Sequence, residues 1–149
     1  MNTAAIDTHQ DSQGGESKTT HFTAPALADL AGRAGLAAIF LLAGLNKFSG
    51  YAGTQAYMES AGLSGRLLPA VIALEIIGAV LLVVGYKTRY AALSLAGFSL
   101  ASAVFFHANL ADQMQFIMFF KNVGLAGGFL VLAAHGAGAL SLDARRAAG

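Results

Sequence analysis

Residues 67–84 read Leu67-Leu-Pro-Ala-Val-Ile-Ala-Leu-Glu-Ile-Ile-Gly-Ala-Val-Leu-Leu-Val-Val84. The stretch carries one ionisable side chain, Glu75, and Ala79–Val84 is apolar at every position. A helix that crosses a bilayer needs about 20 mainly apolar residues. Backbone amides in hydrocarbon have no water to bond, so such a segment satisfies them internally as a helix. The strands of a membrane β-barrel would alternate in polarity, and this run does not. Three further stretches of the same kind cover residues 27–48, 90–107 and 116–134, each followed by a polar or glycine-rich break. The expected fold is an all-α membrane protein, a four-transmembrane-helix bundle.

Composition leads to the same class. Charged residues make up 11% of the 149-residue chain, against about 25% in an ordinary soluble domain. The apolar share is 56% and the mean hydropathy +0.60. A net charge of +1 leaves no basic footprint for nucleic acid. With no cysteine, disulfides, thiolate metal sites and iron–sulfur clusters are excluded. Residues 1–24 are polar, without apolar periodicity, and read as a disordered tail. The apolar run begins only near Leu27, later than in a secretory signal, so the first span is expected to be retained. Residues 25–143 form the helical domain and 144–149 a short C-terminal tail.

Positive charge orients the bundle. Lys18, Arg33, Lys87, Arg89, Arg145 and Arg146 fall on one side, and Lys47 and Arg66 on the other, so both termini are expected in the cytoplasm. Tyr51 and Tyr57 then sit at the outer interface and Tyr86 and Tyr90 at the inner one. In the first loop, Tyr51, Thr54, Gln55, Met58 and Glu59 suit a short surface helix ended by Gly62.

Helices in lipid associate through small residues and polar contacts rather than through apolar burial. In the second span Glu75, Gly78, Leu82 and Gly85 share one arc; in the fourth, Lys121, Gly124 and Gly128 do. Both arcs are expected to face the bundle interior. In the first span Arg33, Ala37, Phe40, Gly44 and Lys47 share a stripe. The third carries Ser94, Ser99 and Ser102, which are expected to bond back to their own helix.

Charges at depth in a bilayer face a partner or a cavity. Glu75 lies about 12 Å and Lys121 about 8 Å below the outer ends of their spans, counted along the helix. Their similar depth lets them pair. Lys47, His107 and Asn122 lie in the same outer half, and that surplus of polar groups also admits a ligand site. In it Lys121, Asn122 and His107 donate, and Glu75 accepts hydrogen bonds or carries a proton. Arg33, near the inner side, is expected to snorkel to headgroups. His107 and His135 end their spans on opposite sides, so they cannot hold one haem between them. No metal-ligand set, nucleotide loop or nucleophile–base pair is visible, and no residue is assigned a catalytic role.

Several stretches together resemble the DoxX family of small bacterial membrane proteins. They are Phe40-Leu-Leu-Ala-Gly-Leu-Asn-Lys-Phe48, Gly50-Tyr-Ala-Gly-Thr54, Ala73-Leu-Glu-Ile-Ile-Gly78 and Tyr86-Lys-Thr-Arg89. Phe106-His107, Gln115-Phe-Ile-Met-Phe-Phe-Lys-Asn122 and Gly136-Ala-Gly-Ala-Leu-Ser-Leu-Asp143 complete the likeness. It runs from about Arg33 to Asp143, and the polar N-terminal tail exceeds the family pattern. The resemblance implies a four-helix protein of the bacterial inner membrane and directs attention to Lys47, Glu75, His107, Lys121 and Asn122. It also implies association with quinol- or thiosulfate-oxidising systems, so the expected ligand is a quinone and the expected partner another membrane or respiratory-complex protein. Two other functions fit the residues: a non-enzymatic scaffold that anchors a partner, and a small-solute or proton transporter.

Overall fold

The computed structural model describes residues 23–149, so the expected N-terminal tail lies, up to residue 22, outside the described residues. Thr23 caps the first helix by accepting the Ala26 amide, and Pro25 occupies the first turn, where a missing N–H costs nothing. Six α-helices follow: α1 (Ala24–Ser49), α2 (Tyr51–Ser60), α3 (Leu68–Val84), α4 (Thr88–Phe106), α5 (Gln113–His135) and α6 (Leu142–Ala147). A single 3₁₀ turn, Gly65–Leu67, leads into α3. Four helical stretches are long and apolar enough to cross a membrane: α1, Gly65–Val84, α4 and α5. The short α2 stands where a surface helix was expected, and Gly62 follows it at φ +79°. At the other end, α6 extends to Ala147, past the boundary expected at residue 143.

The four long helices pack in the order α1, α3, α4, α5, and the α1–α5 seam is the lightest of the lateral contacts. Alanines at 37, 79, 92, 96 and 126 let the backbones approach around Phe40, Leu82, Leu95 and Phe129. Phe40 lies in the second half of α1 and meets Phe129 and Phe98 edge-on, at centroid distances of 5.3 and 6.3 Å. These rings close the centre of the bundle. On α3, Glu75, Gly78 and Leu82 are buried, as their shared arc predicts. A Cβ on Gly78 would lie 3.1 Å from Leu95, so this glycine sets the α3–α4 approach.

Two expectations are corrected here. The buried face of α5 is Asn122, Ala126, Phe129 and Ala133, not Lys121, Gly124 and Gly128. Lys121 and Gly124 are exposed, nothing lies within 4 Å of where a Gly124 Cβ would stand, and only Gly128 approaches a neighbour, Leu36. The large side chain of Phe129 takes the interior and turns the glycine stripe outward. Arg33, in turn, does not snorkel: it is 1% exposed. Its Nη1 donates to Leu82 O (3.0 Å) and Val83 O (3.4 Å), and Nη2 donates to Leu140 O (2.6 Å). The last carbonyls of a helix have no partner within it, and here a guanidinium from α1 serves those of α3. Gly85 ends α3 at φ +68°, and a side chain there would strike that guanidinium and Ser141.

The segment after α5 returns to the same end of the bundle. Asp143 Oδ1 accepts the Lys87 amide (2.8 Å) and Oδ2 the Thr88 amide (2.9 Å), so a carboxylate from far along the chain caps α4. Its own amide donates to Gly85 O at 2.8 Å. Burial alone would raise the Asp143 pKa, but the Thr88 and Lys87 amides and nearby Arg146 outweigh it and hold the carboxyl below its ordinary value.

Candidate functional site

The site begins with a glycine. A Cβ on Gly44 would lie 2.7 Å from Ile76 Cγ1 and 3.4 Å from Glu75 Cβ, so α1 and α3 touch there backbone to side chain. One turn further along α1 that contact delivers Lys47 to Glu75. Lys47 Nζ donates to Glu75 Oε1 at 2.8 Å. Glu75 is 2% exposed, whereas the lysine side chain is 27% exposed and keeps a route to water. The internal ion pair expected for Glu75 therefore exists with a different cation. Lys121 is exposed, and its Nζ contacts the sulfur of Met118 at 3.2 Å. It lies eight residues into α5 and Glu75 seven into α3, about 12 and 10 Å along their axes, so their depths match as expected. Their directions do not.

Glu75 keeps one oxygen without a partner. Among the described residues the buried side-chain atoms in this condition are Arg33 Nε, Thr88 Oγ1 and Glu75 Oε2. Of these three residues, Glu75 alone lines a cavity of about 310 Å³ at the Lys47 end of the bundle. Val71 and Leu67 of α3 and its leading turn form one wall, and Phe98, Ala101, Ser102 and Phe105 of α4 form the opposite one. Lys47, His107 and the α2 residues Thr54, Tyr57 and Met58 complete the lining. Leu67, Ala101 and Phe105 are exposed, which puts the rim on the surface that these apolar helices turn outward. A small, mostly apolar hollow with a few polar groups is the general form of a small-molecule site.

The short α2 acts as the cavity's roof. Met58 packs with Leu68 and Ile72, Gln55 Nε2 donates to Gly65 O at 3.2 Å, and Tyr57 stacks on Phe106 at 5.2 Å between centroids. His107 follows the last turn of α4, and its Nδ1 lies 2.8 Å from Gln115 Oε1. That oxygen only accepts, so Nδ1 is the donor, and in the neutral ring Nε2 is left as an acceptor.

Of the five candidate residues, Lys47, Glu75 and His107 line this cavity, and Lys121 and Asn122 do not. Asn122 is 8% exposed and donates back to Met118 O on its own helix at 3.0 Å, so its polarity is spent locally. Ser99 does the same toward Leu95 O at 2.8 Å, as expected for the serines of this helix. Ser102, by contrast, lines the cavity, together with Thr54 and Tyr57. No sequence signal marked these three as site residues, because their place depends on how α2 and α4 fold over α3. The two ring-bearing candidates for haem ligation, His107 and His135, stand at opposite ends of the bundle, His107 beside the start of α5 and His135 at its end. No group of three or more His, Asp or Glu side chains suited to a metal ion occurs among the described residues.

Residues 28–108 match the DoxX family profile. Inner membrane protein YqjF of Escherichia coli (strain K12) is 49% identical over 105 residues, covering 70% of this chain and 81% of that protein. Inner membrane protein YphA of the same strain is 39% identical over 123 residues, 78% of this chain and 88% of that one. No solved structure matches the chain. The family match spans the ion pair and every residue that lines the cavity, both relatives are inner membrane proteins, and four helices here are fit to cross a bilayer. The chain belongs to the DoxX family and is a multi-pass inner membrane protein.

Proposed function

We propose that the cavity between α2, α3 and α4 binds the head of a lipid-soluble quinone, and that the chain serves as a membrane subunit or accessory of a respiratory or redox system. One observation carries this reading: a carboxylate oxygen, Glu75 Oε2, is left buried and unpaired at a mostly apolar hollow. An unmet buried acceptor is costly, about 1–3 kcal/mol or more for a charged group. A ligand that supplies the missing bond removes that cost. A ring head fits a hollow of about 310 Å³ lined by Phe98, Tyr57 and Phe106, and the isoprenoid tail leaves past Leu67 and Phe105 into lipid. Lys47, Glu75 and His107 hold the polar edge of the head. With both termini on the cytoplasmic side, the head sits in the outer half of the membrane.

The geometry disfavours a through-path for solutes. Phe40, Phe98 and Phe129 lie between the Glu75 cavity and Arg33, and Arg33 is itself bound to backbone carbonyls. The reading is tested by gentle purification of the full chain, solvent extraction, and mass spectrometry of quinone per protein. A near-stoichiometric quinone that falls in Ser102→Phe, where a ring fills the cavity, is the expected result. A ratio no higher than that of the surrounding lipid refutes it, and a co-purifying membrane protein would then point to the scaffold.

A further inference from the structure

We propose that the Glu75 cavity selects the reduced, hydroxyl-bearing head of its ligand, a hydroquinone, over the oxidised head that presents only carbonyl oxygens. This rests on the quinone reading above and adds an oxidation-state preference to it. The preference follows from which hydrogen-bonding roles the cavity leaves open.

Lys47 Nζ stands 2.8 Å from Glu75 Oε1, a distance that suits an ammonium paired with a carboxylate. An ionised carboxylate has lone pairs and no proton, so Oε2 can only accept. His107 in its neutral form is in a similar position, because Nδ1–H donates to Gln115 Oε1 and Nε2 is then an acceptor. Among the donors that line the cavity, the Ser102 and Tyr57 hydroxyls can donate or accept and so favour neither head, and the other two are partly engaged. Lys47 spends one N–H on Glu75 and, at 27% exposure, offers the others to water. Thr54 Oγ1 donates to Gly50 O at 3.0 Å.

A quinone carbonyl would therefore meet Oε2 lone pair against lone pair and leave it unbonded at 2% exposure, where water cannot compensate. A hydroquinone O–H donates to that oxygen instead, in a charge-assisted bond about twice as strong as a neutral one. Sites built to meet a hydroxyl reject the analogue that lacks it more sharply than apolar sites reject a shape. The expected preference is about tenfold to a hundredfold, the range for a single hydrogen bond to a charged group.

Glu75→Gln provides a test that a general loss of packing would not mimic. Lys47 donates, so the amide oxygen of the variant stays with it, and the NH₂ group takes the place of Oε2. The cavity then presents a donor, and the preference should invert toward the carbonyl head. The full chain is placed in phosphatidylcholine nanodiscs, and retention of decylubiquinol and decylubiquinone is measured against empty nanodiscs. Tighter retention of decylubiquinol by the parent and of decylubiquinone by Glu75→Gln is the expected pattern. Equal affinities in the parent, or a preference for decylubiquinone, overturn the inference while leaving the quinone reading standing. Retention of neither form overturns the quinone reading itself. A parent preference that survives unchanged in Glu75→Gln overturns the assignment to Oε2. Should that variant fail to fold, the comparison on the parent still decides between the oxidation states.

Discussion

Replacing Lys47 by Met removes the only cation within ion-pair distance of Glu75 among the described residues. Glu75 is 2% exposed, so its charge is left without water or a partner. Breaking a buried pair in this way costs about 3–5 kcal/mol. Glu75→Met should cost less, about 1–2 kcal/mol, because the stranded ammonium is 27% exposed and can turn to water along its aliphatic stem. The double variant leaves two apolar side chains facing one another and should fall within about 1 kcal/mol of the parent. The coupling between the two sites is then at least about 3 kcal/mol, well beyond the roughly 0.5 kcal/mol within which independent sites add. Far-UV circular dichroism during heating in a mild detergent gives the midpoints. Lys47→Met should lower the midpoint by roughly 6–20 °C, and adding Glu75→Met should restore most of that loss. Additive losses in the double variant would show that the pair contributes nothing as a pair, and the site as built here would be wrong.

Gly44→Ala should cost about 1–3 kcal/mol by overpacking, since Ile76 is β-branched and its Cγ1 cannot easily yield to a Cβ 2.7 Å away; the same melting assay checks it. It should also weaken quinone retention, because α1 carries Lys47 away from Glu75 as it shifts. Lys121→Met should leave both stability, within about 0.5 kcal/mol, and quinone content unchanged; a loss of quinone would return Lys121 to the site. Asp143 binds its proton less readily in the folded chain than in the unfolded one. Its contribution to stability is therefore fully present above the unfolded carboxyl value of about 3.9 and is lost as pH falls through the lower folded value. Asp143→Asn keeps one of the two amide bonds and loses the charge, so it should melt below the parent at neutral pH and show a shallower decline in acid, read from midpoints across pH.

How far the sequence reaches depends on the dimension in question. Position along a helix axis is a linear count of residues, at about 1.5 Å each. That is why the spans, the short α2 and the matched depths of Glu75 and Lys121 were legible. The inward face of α3 was legible too, because its glycine and its one charge lie on the same arc. On α5 the same rule failed: a charge and two glycines share an arc, yet Phe129 and Asn122 turn inward and Lys121 turns out. A helix in lipid gains little from hiding an apolar side, so its sequence weakly specifies which face is buried.

Composition and hydropathy alone settled the class, the number of spans and the residues with unusual chemistry, because transfer from water to hydrocarbon acts on each segment separately. Neighbour relations needed the folded molecule. That Glu75 meets Lys47 follows from Gly44 letting α1 close on α3. That Arg33 serves the carbonyls of α3, and Asp143 the amides of α4, follows from the C-terminal segment returning to one end of the bundle. Each is a contact between residues 28 to 56 apart in the chain, fixed by which backbones can approach and not by any local preference.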